Sequence, residues 1–364
     1  MASDDPAPDS PQAPDSPQRF GRRGSEKPTK TLGTTGGDRP APREGSRAGH
    51  STALRLTERY GLVVVLVLSF VAFSLLLPET FPTTGNVRAM INSQAIILLL
   101  ALALTLPLRS GDFDLSIAGT MTAAGALVAQ LTTTGTSVPV AILAALALGV
   151  VVGLINGFLV VKMGIDSFIV TLGMMTALGG LAYAITDSAI VPNIPETVTR
   201  LARTEILTLP SVVWIGWVLV LVFWYVYERT PLGRYLLFIG GSPESSRLAG
   251  LKVDRIKIGA FVACAVLAAF TGVLFAGQVG QLDPSVAGQF LLQPFAAAFL
   301  GATVITVGRF NAVGTLIALY LLNIFVTGLQ LFGAQPWVSD VFNGCALILA
   351  VTFARVAARI SGRG

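Results

Sequence analysis

Charge is what this chain has least of: among its 364 residues only 12% are Asp, Glu, Lys or Arg, while 53% are hydrophobic. A water-soluble domain carries roughly 25% charged residues, so the composition excludes an ordinary soluble fold and points to a bilayer as solvent. Histidine occurs once, at His50 in a polar stretch, and the two cysteines, Cys264 and Cys345, stand singly within apolar runs. Metal sites need several convergent ligands and disulfides need paired positions, so neither is expected. Nor does any His–acid, Ser–Lys or metal-ligand cluster appear, which makes an intramembrane enzyme the weakest reading. The net charge is +5, but the basic residues lie in the tails and one internal loop rather than along one amphipathic face. No nucleic-acid partner is therefore expected.

Residues 1–55 are rich in Pro, Gly, Ser, Asp and Arg, with the fragment Pro-Asp-Ser-Pro occurring twice. Such a segment cannot bury enough surface to offset its ordering entropy, and the reading is a disordered cytoplasmic tail. It lacks the short apolar core of a secretory signal. Beyond it come the apolar runs, from Gly61 to Leu77, Ala89 to Leu106, Leu115 to Leu131, Val140 to Val161, Ser167 to Ile185, Leu209 to Tyr227, Ile258 to Gln281, Phe290 to Thr306, Ala312 to Phe332 and Trp337 to Ala354. Most approach the roughly 20 residues a helix needs to cross the hydrocarbon. They are too long and too unalternating for barrel strands. The predicted fold is therefore an all-α integral membrane protein of about ten transmembrane helices, with one membrane domain over 56–357 and a short tail over 358–364.

Orientation follows from the basic residues. The loop between the sixth and seventh runs carries Arg229, Arg234, Arg247, Lys252, Arg255 and Lys257, and both tails are basic. With an even number of spans all three regions fall in the cytoplasm when the N-terminus does. The spans themselves hold almost no ionisable side chains, Asp340 being the exception. Carriers driven by protons or ions keep such groups within the bundle, so a neutral solute and an external energy source suit this chain better.

Three local patterns stand out. The stretch Arg109-Ser-Gly-Asp-Phe-Asp-Leu-Ser116 places Gly111, Asp112, Asp114 and Ser116 between two apolar runs. Asp114 or Ser116 either caps the following helix or borders a solute path. In the cytoplasmic loop, Ser242-Pro-Glu-Ser-Ser-Arg-Leu-Ala-Gly250 reads as a separately capped helix of about two turns, with Ser242 at the N-cap and Gly250 closing it. So short a helix is marginal alone; a docked partner or its own bundle holds it. Small residues recur at four-residue spacing at Gly149, Gly153 and Gly157, and at Ala268, Gly272, Ala276 and Gly280. Close helix packing explains both stripes, and a moving seam is compatible with them. A short similarity also links Gly111, Phe113 and Asp114 with Gly308, Phe310 and Asn311.

From about Asn86 to the last span these residues resemble the permeases of ribose-type, simple-sugar ABC importers. The motif Gly111-Asp-Phe-Asp-Leu-Ser116 is similar to the family's Gly-Gly-Ile/Phe-Asp-Leu-Ser. Gly153-Leu-Ile-Asn-Gly157, Phe168-Ile-Val-Thr-Leu-Gly173, Thr230-Pro-Leu-Gly-Arg-Tyr235 and Ala249-Gly-Leu-Lys-Val-Asp-Arg-Ile-Lys257 are similar to further family segments. The resemblance implies the sugar/vitamin-type importer bundle in the bacterial cytoplasmic membrane, surrounded by lipid. It implies a second permease copy or paralogue, a cytoplasmic ATP-binding subunit, an extracytoplasmic solute-binding protein and a small sugar-like solute. ATP and Mg are then bound by the partner ATPase, with no cofactor in this chain and no covalent catalysis by it. The helix over 243–249 would be the coupling helix, with Glu244, Ser245, Arg247 and Leu248 as ATPase contacts and Gly250 ending it. For the translocation path the motifs point to Asn92, Gln94, Asn156, Thr171 and Gln293, with Phe168 as an aromatic wall or gate; each amide or hydroxyl taken singly suits a bridge between helices better than a solute contact. Asp112 stands where many relatives have glycine, and Ala302, Val307 and Asn311 depart from a late glycine-rich pattern. The competing readings are an ion-coupled secondary carrier and a membrane scaffold.

Overall fold

The computed structural model describes residues 47–306 and 308–360, with side chains over 60–306 and 308–352. The predicted tail therefore lies outside the described residues as far as residue 46, and the first helix, α1 (Arg47–Leu76), already begins within its predicted span. Among the described residues six helical stretches are long and apolar enough to cross a membrane, and two shorter apolar stretches, Tyr60–Leu76 and Trp337–Thr352, accompany them.

The second apolar run is two helices, α2 (Thr84–Ser93) and α3 (Ala95–Arg109), which meet at Gln94. The irregularity at Gln94 is served by side-chain amides. Gln94 Nε2 donates to Asn323 Oδ1 at 3.0 Å, and Asn323 Nδ2 donates to the Met90 carbonyl at 3.0 Å. In hydrocarbon a backbone group without a partner is costly, so these amides close the break. Asn323→Leu should lower stability by about 1 kcal/mol, because Gln94 loses its close amide partner and the Met90 carbonyl is left with the Ser93 hydroxyl. A thermal melt of the detergent-solubilised chain reads this out. An unchanged midpoint would show that the break is held by packing alone.

All of α3 is buried, so it forms the centre of the bundle together with α11 (Val253–Val279). Around them stand α4 (Ser116–Thr133), α5 (Val138–Gly157) and α6 (Ser167–Ile185), and α11 packs closely on α4 and α5. The small-residue stripes explain why. A Cβ at Gly153 would overlap the Val262 Cα of α11, and one at Gly272 would overlap the Met121 carbonyl of α4. Glycine at these two positions lets the backbones touch, which in lipid is where helix association finds its dispersion energy. A π-helical turn, Phe158–Lys162, ends α5, and Asp166 caps α6 by accepting from the amides of Phe168 and Ile169.

The segment between the fifth and sixth apolar runs folds into α7 (Glu196–Arg203) and a hairpin of β1 (Glu205–Ile206) with β2 (Leu209–Pro210). Charged residues hid the helix, but Val198 and Ala202, four apart, are buried, and Gly277 of α11 lies against the Val198 carbonyl. The chain continues through α8 (Ser211–Arg229), α9 (Pro231–Gly241) and α10 (Pro243–Leu248) into α11. The eighth run, expected as one helix over 290–306, is different: a 3₁₀ segment (Pro284–Phe290) precedes α12 (Leu292–Gly301), and residues after Gly301 are irregular. Proline at 284 and 294 restricts the entry, while Ile305 and Gly308 adopt positive φ and turn the chain. Finally α13 (Ala312–Leu331) and α14 (Trp337–Ile360) complete the bundle, with α12 packed on both.

Candidate functional site

Two matched turns frame the largest apolar cavity described. Gly111 at φ +86° leads into Phe113, and Gly308 at φ +79° leads into Phe310. Only glycine takes such angles freely, so each turn aims an aromatic side chain where a helix could not. The Phe113 ring stacks on Phe295 and Phe299 at 6.4 and 6.2 Å, and Phe310 meets Phe299 edge-on at 5.2 Å. With Phe168 and Leu347 these rings line a cavity of about 760 Å³. The similarity between the two sequence fragments thus corresponds to two equivalent turns meeting on one face of α12. Each also caps a helix: Asp114 Oδ1 accepts from the Ser116 amide at 3.0 Å ahead of α4, and Asn311 Oδ1 accepts from the Gly314 amide at 2.6 Å ahead of α13. Asn311 Nδ2 further donates to the carbonyls of Gly301 and Val304, closing the irregular loop; Val307 lies outside the described residues.

The loop of residues 110–115 is laced to α6. The Phe113 amide donates to Ser167 Oγ and the Leu115 amide to Thr171 Oγ1, each at 3.0 Å. Thr171 is fully buried, and Thr171→Val should cost about 1 kcal/mol by leaving the Leu115 amide unpaired. A shift in the melting midpoint measures this, and Thr171→Ser, which keeps the acceptor, should preserve most of the stability. Asn156 of α5 donates to Ser116 Oγ at 2.9 Å, and Ser116 Oγ donates to Asp114 Oδ1 at 2.5 Å. Asn92 accepts from Gln278 Nε2 through Oδ1 at 3.0 Å. Of the residues expected along a path, then, Asn92, Gln94 and Asn156 bind other helices and Thr171 binds the loop before α4. Gln293 is half-buried in the first turn of α12, and Phe168, 49% exposed, lines the cavity.

Ionisable groups collect at the same end, which the apolar runs did not disclose. Arg109, buried, donates to the carbonyls of Phe310 at 2.5 Å and Gly233 at 3.2 Å, and its guanidinium lies 4.0 Å from the Tyr227 ring. Lys257 of α11 meets both carboxylate oxygens of Asp112, at 3.0 and 2.9 Å. Burial pushes the Asp112 carboxyl above the ordinary aspartate range, and the Lys257 ammonium opposes that rise. Arg109 and Lys257 are the residues the sequence reading missed. Arg109 ends its helix directly before the Gly111 motif, and that adjacency was the available signal; Lys257, 145 positions from Asp112, offered none.

On the same side, α10 is a separate element. Ser242 Oγ accepts from the Ser245 amide at 3.2 Å, Ser246 is buried, and Gly250 closes the turn at φ +83°. Glu244, Ser245, Arg247 and Leu248 are exposed, Leu248 at 87%. Arg247 pairs with Asp254 at 2.8 Å, and Lys162 reaches the other oxygen of Asp254 at 2.6 Å.

A multi-spanning helical bundle that holds a cavity near one end, beside an exposed and separately capped helix, is an architecture suited to a membrane permease. The chain matches, over residues 86–351, the family described as the permease component of the branched-chain amino acid transport system, and it belongs to that family. It is 30% identical over 300 residues to the ribose import permease protein RbsC of Escherichia coli, covering 81% of this chain and 93% of that one. The L-arabinose ABC transporter permease protein AraH of Azospirillum brasilense is 30% identical over 82% of this chain and 88% of its own. For the fructose import permease protein FrcC of Rhizobium meliloti the figures are 29%, 79% and 83%. No solved structure matches. The chain is a multi-pass membrane permease.

Proposed function

We propose that this chain is the membrane-spanning subunit of an ATP-driven importer, carrying a simple sugar or related polyol into the cytoplasm. The observation that carries the reading is α10, a six-residue helix with its own cap and an almost fully exposed leucine, a surface suited to a partner groove. The relatives named for ribose, arabinose and fructose support the solute class. In this reading α2 with α3, and the 3₁₀ segment with α12, each make one crossing. Ten crossings result, with both termini cytoplasmic and α10 on the cytoplasmic side, consistent with the basic loop. ATP and Mg are bound by a partner ATPase that grips α10, a solute-binding protein delivers from outside, and a second permease copy completes the path. The cavity framed by Phe113, Phe168, Phe295 and Phe310 is its inner portion. Apolar walls hold a polyol weakly, as a path fed by a separate binding protein requires.

The test is uptake in cells that carry the chain with its native neighbours, using labelled ribose, arabinose and fructose as probes. ATP-dependent accumulation of at least one of them is expected. Accumulation driven by a proton or sodium gradient without any ATPase would overturn the reading.

A further inference from the structure

Of the three charged residues at the start of α11, Asp254, Arg255 and Lys257, the first and last lie three apart and are each committed to a different neighbour. Asp254 binds Arg247 of α10 and Lys162 at the end of the π-helical turn. Lys257 binds Asp112, whose next residue, Phe113, stacks in the cavity. Residues three apart on a helix share a face and move together. Between α10 and α11 only Ala249–Lys252 intervene, and that connection is braced by the Leu251 amide donating to the Ser246 carbonyl at 3.0 Å. The Asp112 amide is itself held by the Pro107 carbonyl, and the Phe113 amide by Ser167.

From this we infer that the Asp112–Lys257 ion pair transmits displacement of α10 to Phe113, which makes Asp112 and Lys257 positioning residues for opening and closing the cavity. The inference rests on the reading of α10 as the ATPase-docking helix. The physical ground is the pair's burial, with side chains 8% and 15% exposed. Separating the two would leave a charge without its partner in a poorly solvated place, so the loop follows α11 instead of letting go. The Asp254 pairs are more exposed and would serve alone as weaker ties; the covalent connection supplies the stiffness there. Gly240 of α9 also packs against the Arg109 carbonyl, and the Gly233 carbonyl of α9 accepts from Arg109, but these hold the entry to the loop and not Asp112 itself.

The experiment uses the full chain in lipid nanodiscs with the ATPase subunits that co-purify with it. Cys345, exposed, is replaced by serine, and Phe168→Cys reports cavity access through its labelling rate with a charged methanethiosulfonate reagent. In this parent, Mg-ATP should change the labelling rate by at least about fivefold. Asp112→Asn and Lys257→Gln should reduce that response to within about twofold, and Lys257→Arg should retain it. Asp112→Gly with Lys257→Gln removes the pair without leaving a buried charge, and decides the matter if a single variant folds poorly. Its ATPase rate should stay within about twofold of the parent while the labelling response is lost, a split that general destabilisation would not produce. A parent-like labelling response in that double variant overturns the link and leaves α10 docking standing. An absent response in the parent overturns both.

Discussion

A chain carrying Glu244→Arg together with Leu248→Asp is expected to lose ATP-driven uptake by about a hundredfold or more, while inserting into the membrane as the parent does. Leu248 is 87% exposed on a helix of six residues, so most of its apolar surface is uncovered by the described residues. A leucine held in that state costs little on a free surface but gains much in a partner's pocket, and an aspartate there must be desolvated on docking. Glu244 lies in the first turn, where its charge complements the free amides; arginine at that place opposes the same dipole by about 0.5 kcal/mol. The cap itself, Ser242 with Ser245, is untouched, so the segment keeps its fold. Co-purification of the ATPase and labelled-sugar uptake are the two measurements. Normal association and normal uptake in the double variant would remove the docking role from α10.

The second large effect concerns assembly. Gly153→Leu should cost more than about 3 kcal/mol and leave little monodisperse protein after extraction. The Cβ alone would overlap the Val262 backbone, and no rotamer relieves a clash that begins at Cβ. Neighbouring positions tighten the constraint, since Cβ atoms at Gly149 and Gly157 would come within 2.8 and 3.1 Å of α11. The two helices would have to part along their whole seam, giving up contacts that lipid tails replace only partly. Gly259→Leu is the control: it lies on the same helix pair, with nothing within 4 Å of its added Cβ. Size-exclusion profiles in detergent compare the two. Similar profiles would mean that the seam is looser than its geometry.

Much of this was legible before any coordinates. The apolar runs end close to the helices, because the burial of some twenty residues in hydrocarbon is a strong and local signal. The cap of α10 was legible for the same reason: Ser242, Pro243 and Gly250 each act on the backbone beside them. The eighth run was less so, because hydropathy does not register a 3₁₀ segment or the positive φ at Ile305. Polar residues were the hardest to place. Asn92, Gln94, Asn156 and Thr171 have the chemistry of solute ligands, yet each is spent on a partner distant in sequence, Gln278, Asn323, Ser116 and the Leu115 amide.

What the sequence by itself determined is the solvent, the helical character and the capped helix after Ser242, which follow from composition and from contacts within a few residues, and the permease resemblance, which rests on ordered motifs. Tertiary structure alone decided which faces of those helices meet. It joined Asp112 to Lys257 across 145 positions and Arg109 to Phe310 across 201, and it gathered phenylalanines from four separate segments around one cavity. The physical reason is that a membrane helix satisfies its own backbone and leaves the choice of neighbour to close packing and to a few buried polar pairs. Those depend on shape in three dimensions, and no single stretch of the chain contains it.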